Sequence, residues 1–164
     1  MHTQFLKRSF GSQAAQVKPR VTQLLIDGKF VNSSSGKTFD TFNPATEEKI
    51  ISVQEADVAD VDKAVKAARR AFDEGPWRKM SAAQRGRLMY KLADLVEKNF
   101  DELCALEALD NGKPVSFAKA ADIALVLKTF RYYAGWADKI HGKTIPICGP
   151  YFTYTREEPV GVCA

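Results

Sequence analysis

The clearest helical pattern of the sequence lies in residues 81–114, SAAQRGRLMYKLADLVEKNFDELCALEALDNGKP. Ser81 and Gln84 have the spacing of a capping box, in which each side chain bonds the other residue's backbone amide at a helix start. Apolar residues then recur at the three- and four-residue spacing of one helix face: Leu88, Leu92, Leu95, Val96, Leu103, Leu106, Leu109. The Asn-Gly-Lys-Pro sequence at 111–114 ends the pattern. A long helical segment is therefore predicted here, with a break near Asn99.

A further helix is predicted on each side of this segment. The earlier one carries an apolar stripe at the same spacing: Val58, Val61, Val65, Ala68, Phe72. Asp57 is placed to cap its start and Gly75-Pro76 to stop it. Three acidic residues complement the dipole of its first turn: Asp57, Asp60, Asp62. The later helix is predicted from Ser116 to about His141, with Gly142 in the position of a C-terminal cap.

Short extended segments flank the helical region. Asp27-Gly28 separates two apolar runs and favours the positive φ angles of a type I′ turn, which predicts a β-hairpin. Residues 37–42 and 49–53 have the pattern of two more short strands. Further along the chain, residues 151–156 alternate as a strand does, and residues 159–164 have the apolar character of a second, buried strand.

The composition excludes several classes of protein. Hydrophobic residues make up 45% and charged residues 27% of the 164 residues, as in a folded globular protein. No apolar run approaches the ~18 residues needed to span a membrane, so no membrane partner is expected. Four of the 24 basic residues lie within residues 1–20, and the remaining basic residues equal the 20 acidic ones in number. Because a nucleic-acid binder keeps a basic face on its folded part, no nucleic-acid partner is expected either.

The first twenty residues form a basic, acid-free leader. On a helix, Phe5 and Phe10 would flank one side while Lys7 and Arg8 occupy another, which is typical of a mitochondrial transit peptide. A disordered basic tail is the alternative interpretation. The expected location is therefore the mitochondrial matrix, with the cytoplasm as the alternative.

Taken alone, the usual catalytic motifs are absent: G-x-G-x-x-G, the P-loop, H-E-x-x-H and G-x-S-x-G do not occur. Cys104, Cys148 and Cys163 form no close pair and no metal-ligand spacing, so free thiols are expected. His141, near the predicted end of a helix, is interpreted as a cap or surface residue. Four aromatic residues are expected to pack in the core or between helices: Phe130, Tyr132, Tyr133, Trp136.

Five runs of residues resemble the NAD-dependent aldehyde dehydrogenases in order and spacing: Phe42-Asn43-Pro44-Ala45-Thr46, Asp62–Arg69, Ala108–Pro114, Phe130–Lys139, Arg156–Val162. The run at 130–139, FRYYAGWADK, is highly specific, whereas the run at 42–46 is a weak motif. The resemblance extends over roughly residues 22–164 and leaves only the leader unmatched. The similarity is to the mitochondrial and cytosolic group that oxidises acetaldehyde, retinal and related aldehydes.

The resemblance implies an α/β fold, incomplete in this stretch: a mostly helical segment with an N-terminal β-hairpin and C-terminal strands. It divides the chain into the leader at 1–20 and the hairpin and helical part of the cofactor-binding domain at 21–150. A bridging strand for oligomerisation follows at 151–159, and a Rossmann-like nucleotide-binding sheet is only begun at 160–164. The family's subunits associate as homo-oligomers, and a homotetramer is expected.

The resemblance also places the chemistry elsewhere. Aldehyde oxidation in this family uses a cysteine thiolate to form a thiohemiacetal, whose hydride passes to NAD. A glutamate then activates the water that cleaves the acyl-enzyme. Both residues belong to motifs outside these 164 residues, and Cys163 matches the nucleotide-domain strand, not the nucleophile. No catalytic and no NAD-contacting residue is therefore assigned. By themselves the 164 residues are expected neither to bind NAD nor to oxidise a small aldehyde.

Two partial sites follow from the resemblance. The backbone carbonyls of Thr41 and Phe42 and the carboxylate of Asp110 match positions that hold a monovalent cation, with a further ligand from outside this stretch. Asp110 is equally explained as a residue of a helix-end turn. Ala121 and Leu125 match positions near the substrate entrance, with ordinary helix packing as the alternative.

Two hypotheses of different class follow. In the first, the chain is the N-terminal portion of an enzyme that oxidises aldehydes to carboxylic acids with NAD. In the second, it is a non-catalytic chain that binds full-length subunits and modulates their assembly. An open reading frame that continues beyond Ala164 supports the first, and an immediate stop codon supports the second.

Overall fold

The computed structural model describes residues 17–164, so most of the predicted leader at 1–20 lies outside the described residues. The strands are β1 (Leu24–Ile26), β2 (Lys29–Val31), β3 (Thr38–Phe42), β4 (Lys49–Gln54), β5 (Thr144–Ile145) and β6 (Thr153–Tyr154). The helices are α1 (Val58–Glu74), α2 (Pro76–Lys79), α3 (Ala82–Lys98), α4 (Phe100–Asn111), α5 (Val115–Phe117) and α6 (Ile123–Trp136). A π-helical turn (Ala118–Asp122) joins α5 to α6. None of the helices among the described residues is both long and apolar enough to cross a membrane.

The strands form three separate antiparallel pairs, β1 with β2, β3 with β4, and β5 with β6. The predicted hairpin is confirmed, because Asp27 and Gly28 have φ angles of 54° and 73°, the positive values that a type I′ turn requires. The β3–β4 pair confirms the next two predicted strands. Its register shifts between Thr41 and Phe42, which pair with Ile51 and Lys49, so Ile50 is an extra residue in β4.

The predicted helix ends are confirmed at four places. Asp57 caps α1, and the side chain of Ser81 accepts a hydrogen bond from the backbone of Gln84 in the predicted capping box of α3. The predicted break occurs at Asn99, which ends α3 and precedes α4. At Gly112 the backbone is left-handed, with φ of 74°, and α4 ends there. Each of these ends depends on one or two residues adjacent in sequence, which is why the pattern predicts them.

The buried core lies where α3 packs on α6 and where α4 packs on the π turn. Its members are mostly small: Gly86, Ala93, Cys104, Ala105, Ala108, Ala118, Leu127, Ala134. Small side chains allow helix backbones to approach closely, so the core is made by contact between helices and not by large interdigitating side chains.

The large apolar side chains are mostly exposed. The predicted stripes of α1 and α3 both remain accessible at these positions: Val58, Val61, Val65, Leu88, Leu92, Leu95. Tyr132, Tyr133 and Trp136 are also exposed, so the expectation that they pack in the core or between helices is wrong for these three, whereas Phe130 is half-buried. Tyr132 instead meets Tyr133 edge-on, with 5.1 Å between the ring centroids.

The last helix is shorter than predicted. It ends at Trp136, not near His141, and Gly142 does not cap it. The side chain of Lys139 instead donates from Nζ to the carbonyl oxygen of Gly135 at 2.6 Å, which satisfies one of the free carbonyls of the last turn. Gly142 has a different reason to be glycine: a Cβ there would collide with the carbonyl oxygen of Thr155.

The C-terminal strands also differ from the prediction. Strand β6 is two residues long instead of six, and β5 pairs with it through Ile145 and Thr144. Residues 160–164 form no strand, and Val160 is 97% exposed. A strand is held by hydrogen bonds to a neighbour, and no neighbouring strand lies beside this segment in the described part of the chain.

Candidate functional site

The segment after β3 meets the end of α4. A Cβ at Gly112 would lie 3.0 Å from Cβ of Pro44 and 3.3 Å from the backbone nitrogen of Ala45. Phe42 is two residues before Pro44, and Asp110 is two residues before Gly112. The structure therefore brings the two segments that carry Thr41, Phe42 and Asp110 into contact.

The backbone is irregular at the same place. Thr41 donates from Oγ1 to the carbonyl oxygen of Ile51 at 3.1 Å, just before the register shift. A bulge leaves one residue outside the regular ladder of hydrogen bonds and bends the strand. Asp110 is exposed and makes no side-chain hydrogen bond within residues 17–164. No cluster of three or more His, Cys, Asp or Glu residues suited to a metal ion occurs among those residues, so a cation here would rely mainly on backbone carbonyls.

The two predicted entrance residues lie on consecutive turns. Ala121 belongs to the π turn and is half-buried, and Leu125 lies one turn later in α6 with 58% of its surface exposed. An open groove on this face has Leu125 among its walls, whereas Ala121 does not line it. Its other walls include Glu107, Asp122, Ile123, Val126 and Phe130. A π turn is wider than an α turn and often marks a functional position in a helix.

Lys113, which is not among the predicted site residues, forms ion pairs with both α4 and the π turn. Nζ of Lys113 lies 2.6 Å from Oδ2 of Asp122 and 2.8 Å from Oε1 of Glu107. The hydrogen bond to Asp122, followed by that to Glu107, raises the pKa of Lys113 above its usual value. The available sequence signal was its place in the run Ala108–Pro114, directly after the glycine that ends α4.

Asp60 has a structural role beyond the helix dipole. Its Oδ2 accepts hydrogen bonds at 2.9 Å from both the backbone nitrogen and Oγ of Ser34, and at 3.2 Å from the backbone nitrogen of Asp57. The side chain is only 2% exposed. The backbone hydrogen bond from Ser34, with smaller contributions from Asp57 and Lys63, lowers the pKa of Asp60 to about 2. Asp60 therefore fastens the loop after β2 to the start of α1.

The cysteines are free thiols, as predicted. Cys104 is fully buried, and burial raises the pKa of its thiol. A nucleophilic cysteine needs the opposite, because the thiolate is the reactive form. Cys148 and Cys163 are exposed, as is His141.

The known proteins that this chain is similar to are aldehyde dehydrogenases. The sequence profile of the aldehyde dehydrogenase family matches residues 30–164. Human mitochondrial aldehyde dehydrogenase is 58% identical over 142 residues, which cover 86% of this chain and 28% of that protein. Human retinal dehydrogenase 2 is 54% identical over 153 residues, covering 93% and 30%. The NAD⁺ complex structure of aldehyde dehydrogenase from Bacillus cereus has a TM-score of 0.82 and 53% identity, covering 86% of this chain and 29% of that one.

The chain belongs to the aldehyde dehydrogenase family. It spans about 30% of the length of the curated relatives that it matches. The matched part is their N-terminal part, and their catalytic residues lie outside it.

Proposed function

We propose that these residues are the N-terminal portion of an NAD-dependent aldehyde dehydrogenase, which converts an aldehyde, NAD and water to a carboxylic acid and NADH. The observation that carries this proposal is the family match over residues 30–164. A match of this extent favours the enzyme over the hypothesis of a non-catalytic modulator.

In the proposed enzyme, Thr41, Phe42 and Asp110 contribute to a monovalent-cation site, which needs a further ligand from outside this stretch. The contact between Gly112 and Pro44 supports it, because that contact holds the strand end and the helix end together. The exposed carboxylate of Asp110 would supply the negative charge and the two carbonyls would supply neutral oxygens, the ligand type that hard cations prefer.

Ala121 and Leu125 are proposed to lie near the aldehyde entrance. The open groove beside Leu125 supports this assignment, since its apolar walls suit the carbon chain of an aldehyde. NAD, bound by the whole enzyme, would accept the hydride. The residues described here would guide the substrate and support the fold, and would not touch the reacting atoms.

Assembly is proposed from the family resemblance, and location from the basic leader. Residues 151–159 would bridge subunits of a homo-oligomer, a tetramer, and residues 160–164 would open the nucleotide-binding sheet. The outer edge of the short β5–β6 pair supports the bridging role of residues 151–159, because a free strand edge offers hydrogen bonds to another strand. The basic leader with Lys7 and Arg8 supports the mitochondrial matrix, with the cytoplasm as the alternative.

A graft tests the proposed function. Residues 22–164 replace the corresponding part of human mitochondrial aldehyde dehydrogenase, and NADH formation is followed with acetaldehyde. The graft is expected to turn over substrate, whereas the 164-residue chain alone is expected to give none. The unmodified human enzyme is the positive control. A graft that assembles as the human enzyme does but shows no turnover would contradict the proposal.

The cation site is tested in the same graft. Asp110→Asn is compared with Asp62→Asn, an exposed aspartate near the start of α1. Thermal stability is measured in potassium chloride and in tetramethylammonium chloride at equal ionic strength. The stabilisation by potassium is expected to be lost with Asp110→Asn and kept with Asp62→Asn. Equal potassium dependence in both variants would argue against the site.

A further inference from the structure

Among the ion pairs of the described residues, the one centred on Lys113 has the least exposed cation, with 18% of the side chain accessible. The two carboxylates come from different elements, Glu107 from α4 and Asp122 from the π turn. Lys113 therefore joins the end of one helix to the irregular turn that starts the next. Both carboxylates line the groove and Lys113 does not, and its ammonium group compensates one of their two negative charges.

The backbone that precedes Lys113 is also held in place, by contacts of Gly112. The preceding residue, Gly112, packs on Pro44 and donates its backbone N–H to the carbonyl oxygen of Ala108 at 2.9 Å. The backbone at 112 is therefore fixed, and the side chain of residue 113 extends from a rigid base. A shift of the π turn would have to stretch or break the 2.6 Å contact between Lys113 and Asp122.

We propose that Lys113 is a positioning residue for the aldehyde entrance, which sets both the shape and the charge of the groove beside Leu125; this rests on the proposed function. Its ammonium group holds the π turn, and so Ala121 and Leu125, at a fixed distance from α4. Without that charge, Glu107 and Asp122 repel each other at short range, since both now contact a single nitrogen atom. The groove then widens and becomes more negative.

The consequence concerns substrate binding and not the chemical step. A neutral aldehyde loses a defined apolar wall, and an aldehyde that carries a carboxylate meets an additional uncompensated negative charge. The KM for both is expected to rise, and more for the anionic one, while kcat stays nearly constant because the reacting atoms lie elsewhere. Arginine retains the charge and has several donors for two carboxylates, so it should restore much of the effect.

The kinetic test uses the graft described above with Lys113→Met, Lys113→Arg and a control, Lys128→Met, which changes an exposed lysine of α6. KM and kcat are measured for propionaldehyde and for succinic semialdehyde, which is anionic. With Lys113→Met we expect KM to rise roughly 3- to 10-fold for the neutral aldehyde and further for the anionic one, with kcat within about twofold. Lys128→Met should match the parent graft. Unchanged KM values, or a fall in kcat alone, would overturn the proposal.

A second measurement does not depend on activity. Hydrogen exchange is followed in the graft and its three variants, whether or not the graft is active. Lys113→Met is expected to accelerate exchange in residues 115–123 and to leave α3 unchanged, and Lys113→Arg should restore protection. Unchanged exchange in 115–123, or faster exchange throughout the helices, would refute a local positioning role. If the parent graft is inactive, the proposed function fails, and the exchange data still decide whether Lys113 holds the π turn.

Discussion

Replacing Gly86 by alanine tests whether the contact between α3 and α6 holds the core. Gly86 is a buried residue in the first half of α3. An added Cβ would lie 2.7 Å from the carbonyl oxygen of Ala134 and 3.4 Å from Cβ of Ala137. The first of these atoms belongs to the backbone of α6 and cannot rotate away, so the two helices would have to move apart.

Two opposing effects set the size of the change. Alanine is better than glycine inside a helix by about 1 kcal/mol. Overpacking of a close contact destabilises by roughly 1–3 kcal/mol, and a backbone obstacle places this case in the upper part of that range. The net result for Gly86→Ala is a loss of about 1–2 kcal/mol in the free energy of unfolding.

Gly135→Ala is the matched control on the opposite helix. A Cβ there would meet only the hydroxyl oxygen of Tyr90, at 3.4 Å, at the end of a side chain that can rotate. The same helix-propensity gain is therefore expected without the clash, and stability should rise by up to about 1 kcal/mol. Urea unfolding of both variants in the graft, followed by far-UV circular dichroism, would measure the change. If Gly86→Ala were as stable as Gly135→Ala, the described contact between α3 and α6 would not be a close one.

Three more predictions concern Asp60, the leader and the exposed apolar stripes. The pKa of Asp60 is lowered from 3.8 to about 2, so its contribution to stability is complete above pH 3.8 and is lost as the pH falls through 2. In the graft, Asp60→Asn should therefore be less stable near neutral pH and should show a flatter acid limb in urea titrations at a series of pH values. An unchanged acid limb would count against the Ser34 contact. Residues 1–20 fused to a fluorescent reporter should direct it to mitochondria, and a change of Lys7 and Arg8 to glutamate should abolish this import. A diffuse signal from the unmodified fusion would reject the leader as an import signal. The chain should self-associate through its exposed apolar stripes, as measured by light scattering and sedimentation; a monomer with sharp, cooperative unfolding would show that residues 22–164 form an independent domain.

Local features were predictable because their causes are local. The Asp27-Gly28 turn, the Ser81–Gln84 capping box and the stop at Gly112 each depend on backbone preferences of a few adjacent residues. The end of α6 was not predictable from the same rules. The side chain of Lys139 bonds a carbonyl oxygen of its last turn, and Gly142 is required by Thr155, the residue after β6, which is distant in sequence.

At the candidate sites, too, the contacts between distant segments could not be predicted from local sequence. The family resemblance gave the positions Asp110 and Leu125, but no local pattern showed that the Gly112 turn packs on Pro44, because that contact joins segments separated by almost seventy residues. Lys113 was overlooked for a related reason. A lysine beside a helix end is ordinary in sequence, and only the folded chain shows that its two carboxylate partners lie six residues before it and nine after it.

The arrangement of α3 connects the fold to the family assignment. One face of this helix, with Gly86 and Ala93, packs closely on α6, whereas Leu88, Leu92 and Leu95 lie on accessible surface. A helix that is apolar on more than one side is typical of the interior of a larger protein. The small residues Gly86 and Ala93 allow the close contact with α6. The leucines on the other face are large enough to form a second contact. Among the described residues only the contact with α6 is formed, and the leucine face of α3 has no partner. This is expected of a helix that packs against a second element on its other face. The extent of the family match, about 30% of the length of its relatives, agrees with that interpretation.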